Sequence, residues 1–319
     1  MGPHVAPGTL MRRLLLSVVL AALVLPFAAQ AGSDGDELLK QAEKQPKRGF
    51  FWEAHKADRK IYLFGTVHVG RADFYPPNIE YLRRFNEAKA IVVEADVFNA
   101  KRVSAAVQKV AVYPDGEPGL DTRMDDELKA RVLAQVRRFG LDTNRIWRMK
   151  PWMLANTLVI MQASSGGYSP AYATESFLFQ YATGAGKPLL EIESIELQLG
   201  IFDRSDQETQ IAYLNQAVRG MESGDADREV RKIVEAWERR DNEAAERLVA
   251  DIHSAKTRGE RFVAEQLFDA RHPRMVEAIE KYTASGSLYL VAVGSLHYFG
   301  PAGLLEILRS RGFTITPVP

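Results

Sequence analysis

Ile61-Tyr62-Leu63-Phe64-Gly65-Thr66-Val67-His68 is the stretch on which the fold turns. Four consecutive apolar residues make a strand buried on both faces, and Gly-x-x-His closes it. The same unit returns near the far end of the chain, where Leu288-Tyr289-Leu290-Val291-Ala292-Val293 runs into Gly294-Ser295-Leu296-His297. Gly65 and Gly294 let the backbone turn sharply, or approach a ligand, where a Cβ would clash. Two further apolar strands end in carboxylates: Ala90-Ile91-Val92-Val93 at Glu94, and Pro188-Leu189-Leu190-Glu191-Ile192 at Glu193. If these four strands run parallel, their carboxyl ends lie on one edge of the sheet, where open α/β folds place their ligands. His, Glu, Glu and His then converge on that edge.

Working outward, 50–54 reads as a strand that forms a hairpin with 61–64, with a polar turn over 55–59 that carries His55. A helix over 78–88 follows Pro76-Pro77, with Ile79, Leu82 and Phe85 at helical spacing. Residues 99–165 are mainly helical, including 126–139 closed by Gly140 and 151–163 opened by Pro151. Thr174 is read as the cap of a helix reaching 181. A charge-rich helical stretch covers 196–282, and Gly300-Pro301-Ala302-Gly303 opens a last helix before a closing strand at 313–316. The expected fold is α/β: a mainly parallel or mixed central sheet flanked by helices, with a large helical insertion, all in a single domain over 32–319.

The 319 residues are 46% hydrophobic and 26% charged, enough to bury a substantial core. Basic and acidic residues both total 41, so no global positive field draws the chain to nucleic acid or to an anionic lipid surface. Met11-Arg12-Arg13 precedes an apolar run over 14–27 and Ala28-Ala29-Gln30-Ala31, the pattern of a signal peptide over 1–31 with translation starting at Met11. The run is shorter than the roughly 20 residues of a spanning helix. Cleavage is therefore expected to leave no membrane anchor and a periplasmic or secreted chain. Cysteine is absent, which removes disulfides, a thiolate nucleophile and a Cys-based zinc site. Any metal site must use His, carboxylates and water.

Two neutral imidazoles and one or two carboxylates suit zinc, manganese, cobalt or iron, with positions left open for water. A divalent ion so held lowers the pKa of water towards about 7 and polarises a carbonyl, so amide hydrolysis needs no Ser or Cys nucleophile. His68, His297 and Glu94 are the expected ligands, Glu94 being also the candidate general base, with Glu193 as second choice. A strand-end histidine standing alone is ordinarily a hydrogen-bonded structural residue, and it is the repeat of the whole unit that puts ligation on an equal footing. His4 falls in the signal peptide, and His55 and His253 read as surface residues.

Tyr62-Leu63-Phe64-Gly65-Thr66-Val67-His68, Glu94, Gly186-Lys187-Pro188, Glu193-Ser194-Ile195-Glu196-Leu197-Gln198, Leu267-Phe268-Asp269-Ala270-Arg271, Val291 to His297 and Gly300-Pro301-Ala302-Gly303-Leu304-Leu305 together resemble the TraB/PrgY/GumN family, which includes the TIKI proteases. The resemblance covers nearly the whole chain after residue 31. It implies a fold related to erythromycin esterase and the haem-binding ChaN proteins, and a site lined by both histidines, Glu94 and Arg271. It also implies that Arg271 clamps a substrate carboxylate or an oxyanion. The family often has Asn after that Arg, whereas this chain has His272-Pro273, which leaves His272 as a further candidate ligand. Proteolysis with manganese or cobalt belongs to the TIKI branch.

Two functions compete on this reading. One is an exported metal-dependent peptidase or amidase acting on a peptide or small-protein substrate. The other is a non-catalytic binding protein that captures a peptide signal or a haem-like ligand in the same cleft, with Phe64, Phe74, Tyr75, Tyr298 and Phe299 as apolar walls.

Overall fold

The computed structural model describes residues 35–319; the signal peptide and the start at Met11 lie outside the described residues. Six strands form one mixed sheet: β1 (Phe51–Lys56), β2 (Arg59–Thr66), β3 (Ala90–Val93), β4 (Leu189–Glu191), β5 (Tyr289–Gly294) and β6 (Thr314–Pro317), in the order β4-β3-β5-β2-β1-β6. The four strands from β4 to β2 are parallel, and β1 and β6 complete the sheet antiparallel. The architecture is an α/β fold with a helical insertion. The last long strand, β5, lies between β3 and β2, so the two Gly-x-x-His strands are neighbours, with Thr66 opposite Gly294 in register.

Local chemistry sets most of the boundaries. Ala57, at φ 54°, makes the tight turn of the β1–β2 hairpin, which leaves His55 inside β1 opposite Lys60 rather than in the turn. Asn78 caps the helix Ile79–Glu87 by accepting from the Glu80 N–H at 3.0 Å, and Asp125 does the same for Asp126–Arg138 from Leu128 at 2.7 Å. Thr174 is not a cap. It is the first residue of Thr174–Gly184, and its hydroxyl instead accepts from the Val67 N–H at 3.1 Å.

Two apolar cores result. The sheet core holds Ile61, Leu63, Ile91, Val92, Leu290 and Val291 between helices on either face. The second is all helical, where Pro151–Ser165 packs on Gln207–Ser223 around Trp152, stacked on Phe202 at 4.9 Å between ring centres. Each fully buried Leu, Ile or Val contributes roughly 1.5–3 kcal/mol against exposure. The helix Asp225–Arg239 ties the insertion to the sheet edge, where buried Trp237 donates from Nε1 to the Gly65 carbonyl at 2.7 Å. No described helix is long and apolar enough to cross a membrane.

Candidate active site

Because β2, β3, β4 and β5 are parallel, the residues that follow them emerge on one edge. Beyond β2, Val67 is zipped to the helix Thr174–Gly184 by two hydrogen bonds, the second from the Thr174 N–H to the Val67 carbonyl at 2.9 Å. That zip sets Glu175 beside His68, with Nδ1 to Oε1 at 3.0 Å, while the Thr66 hydroxyl donates to the same oxygen at 2.5 Å. Burial pulls the His68 pKa down, but the Glu175 and Glu94 carboxylates outweigh it and raise it above the usual 6.5. Burial pushes the Glu175 carboxyl up, and the His68 charge with the bonds from His68 and Thr66 wins and holds it low. With Nδ1 facing Glu175, Nε2 of His68 faces the site.

Beyond β5 the chain makes a tight turn, Ser295–Tyr298, which buries His297. His297 Nδ1 stands 3.0 Å from His272 Nε2, and His272 Nδ1 stands 2.7 Å from the Ala302 carbonyl. A carbonyl only accepts, so His272 carries its proton on Nδ1; its Nε2 then accepts, which puts the His297 proton on Nδ1. His297 therefore turns an unprotonated Nε2 towards the site. Burial lowers the His272 pKa, and burial together with the positive charge of Arg271 and the neighbouring His272 and His68 takes His297 well below 6.5, so both rings are neutral. The Phe268 ring stacks on His297 with centres 4.6 Å apart.

Arg271 joins the two halves. A π-helical stretch, Val263–Phe268, swings the chain so that the buried Arg271 reaches inward. Its Nε donates to Glu193 Oε2 at 3.0 Å and its Nη2 to the same oxygen at 2.7 Å, with a close contact from Nη2 to Glu94. Nη1 reaches His297 Nε2 at 3.3 Å and the Leu267 carbonyl at 3.4 Å. All five N–H donors thus find acceptors inside the protein. Burial alone would raise the Glu94 carboxyl; Arg271, then His68 and the Gly294 N–H bond at 2.6 Å, hold it below its usual range. Gln198 completes the group, donating to Glu193 at 3.1 Å and to Glu94 at 3.3 Å.

Gly294 marks the meeting point. A Cβ there would lie 3.1 Å from Glu94 Oε1, 3.4 Å from His297 Cδ2 and 3.7 Å from His68 Nε2. The five residues singled out in the sequence, His68, Glu94, Glu193, Arg271 and His297, are brought together at one edge. Glu175, Gln198 and His272 complete the site in roles not read from the sequence. Glu175 gave no signal beyond a Glu in a helix's first turn; Gln198 stood in a family motif without an assigned task, and His272 was expected only as a further candidate ligand. His272 faces His297 and Ala302, so it supports a ring rather than offering a free nitrogen. His253 pairs with Asp269 at 3.0 Å, apart from the site group.

The donor chemistry fits a divalent ion in kind: one carboxylate and two imidazoles, each imidazole held through its other nitrogen by Glu175 or His272. Among the described residues no group of three His, Asp or Glu side chains is already arranged to hold one. The guanidinium of Arg271 occupies Glu94 and His297 instead, so an ion must compete with it for these donors. Beside the histidines is a small cavity of about 50 Å³, walled by Val67, Val69, Val230, Ile233 and Val234. Phe64, Phe74, Tyr298 and Phe299 are buried in the sheet core and Tyr75 packs against it, stacked on Phe177, so none of these aromatics walls that cavity.

Comparison with known proteins adds the family. An uncharacterised protein of Treponema pallidum (strain Nichols) is 22% identical over 301 residues, 91% of this chain and 88% of that protein. The uncharacterised protein YbaP of Escherichia coli (strain K12) is 24% identical over 254 residues, 79% of this chain and 89% of that protein; YbaP of Shigella flexneri matches to the same extent. No solved structure matches significantly. The TraB/PrgY/gumN family profile matches residues 50–317, and with that span covering the whole sheet and every residue of the site, the chain belongs to this family.

Proposed function

We propose that the chain is an exported, metal-dependent hydrolase of amide bonds, acting on a peptide or small-protein substrate in the periplasm or outside the cell. The observation that carries this reading is the meeting of His68 Nε2, Glu94 and the His297 ring around Gly294, with the His297 Nε2 unprotonated and accepting from Arg271. His68, Glu94 and His297 would hold the ion, with manganese, cobalt and zinc the candidates, and bound there it would supply an activated water and polarise a carbonyl. Glu175 fixes the ring of His68 and His272 that of His297, so neither imidazole must be ordered when substrate arrives. Glu94, held ionised by Arg271 against the upward pull of burial, would take a proton from an attacking water. Arg271 sets the angle of Glu94 and offers positive charge to an oxyanion within reach of the same group.

One observation favours the second reading, a protein that captures a peptide or a haem-like ligand without cleaving it. Arg271 satisfies Glu94, Glu193 and His297 internally, as a purely structural network would. Elemental analysis of protein purified without chelator, followed by a manganese, cobalt and zinc titration, separates them. Stoichiometric metal with peptide turnover that His68→Ala and His297→Ala both abolish is expected; no metal binding, in a folded chain that still binds peptide, would leave capture as the function.

A further inference from the structure

A second cleft, of about 430 Å³, shares Arg271 and Glu193 with the site but neither histidine. Its size falls in the range of about 300–1,000 Å³ typical of small-molecule sites. Its carboxylates are already engaged. Glu193 shares Arg271 with Glu94 on its floor, and Asp206, the other carboxylate on its wall, is taken by Arg258 at 2.7 Å and by the Thr209 N–H at 2.8 Å. That leaves Arg204 and Arg274, both exposed and neither in an ion pair with a described residue. Arg204 is seated rather than free to roam: its guanidinium lies over Gly200, where a Cβ would come within 2.7 Å of Nη1. Arg274 stands in the first turn of His272–Ala284, where the positive end of the helix adds to its field rather than cancelling it.

The wall beside these arginines is apolar. Leu197 is 38% exposed, one of three large hydrophobic side chains so exposed among the described residues, and the other two, Leu38 and Leu39, lie on the N-terminal helix Gly35–Lys44. Ile201 and Phe262 extend that surface into the cleft. Two uncommitted guanidinium forks match the two oxygens of a carboxylate, and an exposed leucine next to them suits an apolar side chain on the same ligand.

We propose that this cleft takes the C-terminal residue of a peptide, its free carboxylate held by Arg204 and Arg274 and its apolar side chain lying on Leu197 and Ile201. The inference rests on the reading of the neighbouring group as a site for peptides, and it names the end of the peptide that is recognised. Arg271, with its donors engaged, forms the floor between the carboxylate subsite and the histidines.

Calorimetric titration of the chain as purified, at 5 °C, tests it with acetyl-Ala-Ala-Leu as free acid, the same peptide as its C-terminal amide, and inorganic phosphate. The recovered peptide is weighed by mass spectrometry for cleavage. The free acid is expected to bind at least about tenfold more tightly than the amide. Arg204→Ala/Arg274→Ala should bring the acid down to the level of the amide without shifting thermal unfolding, as both side chains are exposed. Equal binding of acid and amide, no binding of the acid, or acid binding unchanged in the double variant overturns the proposal. Phosphate bound as tightly as the acid, and lost in the double variant, overturns it too and makes this a phosphate site. No cleavage is needed for any of these readouts, so a failure of hydrolysis leaves the result standing, and lost discrimination with hydrolysis intact removes only the subsite.

Discussion

Replacing Arg271 with Met keeps the aliphatic stem and removes the charge that separates Glu94 from Glu193. Both carboxylates face the guanidinium, and both accept from Gln198, so the variant leaves two like charges side by side with one amide between them. Breaking a buried network by removing one partner costs about 3–5 kcal/mol, against a total stability of about 5–15 kcal/mol for a typical protein. At roughly 2 °C per kcal/mol for a chain of this size, thermal unfolding should fall by about 6–10 °C at pH 7.5. The sign with pH follows from the same pair. Two adjacent carboxylates without a cation raise each other's affinity for a proton, so the variant's folded state takes one up more readily than its unfolded chain. Its deficit against wild type should be largest at neutral pH and should shrink as pH falls towards 5. Adding Glu193→Gln to Arg271→Met should recover more than half of the loss at pH 7.5. A loss under about 1 kcal/mol, or a deficit that is the same at pH 7.5 and pH 5, would refute the view that Arg271 neutralises a carboxylate pair.

Gly294→Ala places a methyl group among Glu94, His297 and His68, at φ −47° where Ala is unstrained, so the chain should fold while metal binding or turnover falls at least about tenfold; unaltered activity would remove Gly294 as the meeting point. His272 and His297 have pKa values below 6.5 when folded, so the unfolded chain binds more protons and metal-free protein should lose stability as pH drops below about 6.5, by up to about 1.4 kcal/mol per pH unit for each ring. His68 works the other way, its raised pKa giving stability that is present below 6.5 and lost as pH climbs through the folded value. His272→Gln should flatten the acid limb measured by urea unfolding, and an identical slope would show that His272 is not buried neutral. Gly49→Ala, at φ +88° with a Cβ forced to within 2.9 Å of the Trp237 ring, should cost at least about 2 kcal/mol in the same assay, a loss absent if the ring can move aside.

The sheet and the edge were legible because β2, β3 and β5 are apolar runs too short and too β-branched or aromatic for helices, each ending in a residue of distinct chemistry. Parallel pairing then follows from the helices between them, and with it the meeting of His68, Glu94 and His297. What holds those residues was not legible. Glu175 reaches His68 only because Thr174 is bonded to Val67, a contact 107 residues apart in sequence that no local pattern marks. Arg271 is marked only by the family resemblance; by local pattern it reads as one Arg among many, because the π-helical stretch that turns it inward has no periodic signature. The turn at His55 was misplaced for a simpler reason: strand pairing extends to Lys56 and Arg59, polar residues that read as loop but are paired on the solvated end of a hairpin.

The strand at the centre of the sheet comes after every other interior strand in chain order. β5 inserts between β3 and β2, and it carries His297 to the edge that holds His68 and Glu94. Until β5 is available, β3 and β2 face each other across a gap one strand wide, a long-range closure that is slow by its nature. β5 is thus the keystone of the sheet: a stretch that stops before it leaves β4 and β3 unjoined from β2 and β1, and keeps His297 from His68 and Glu94.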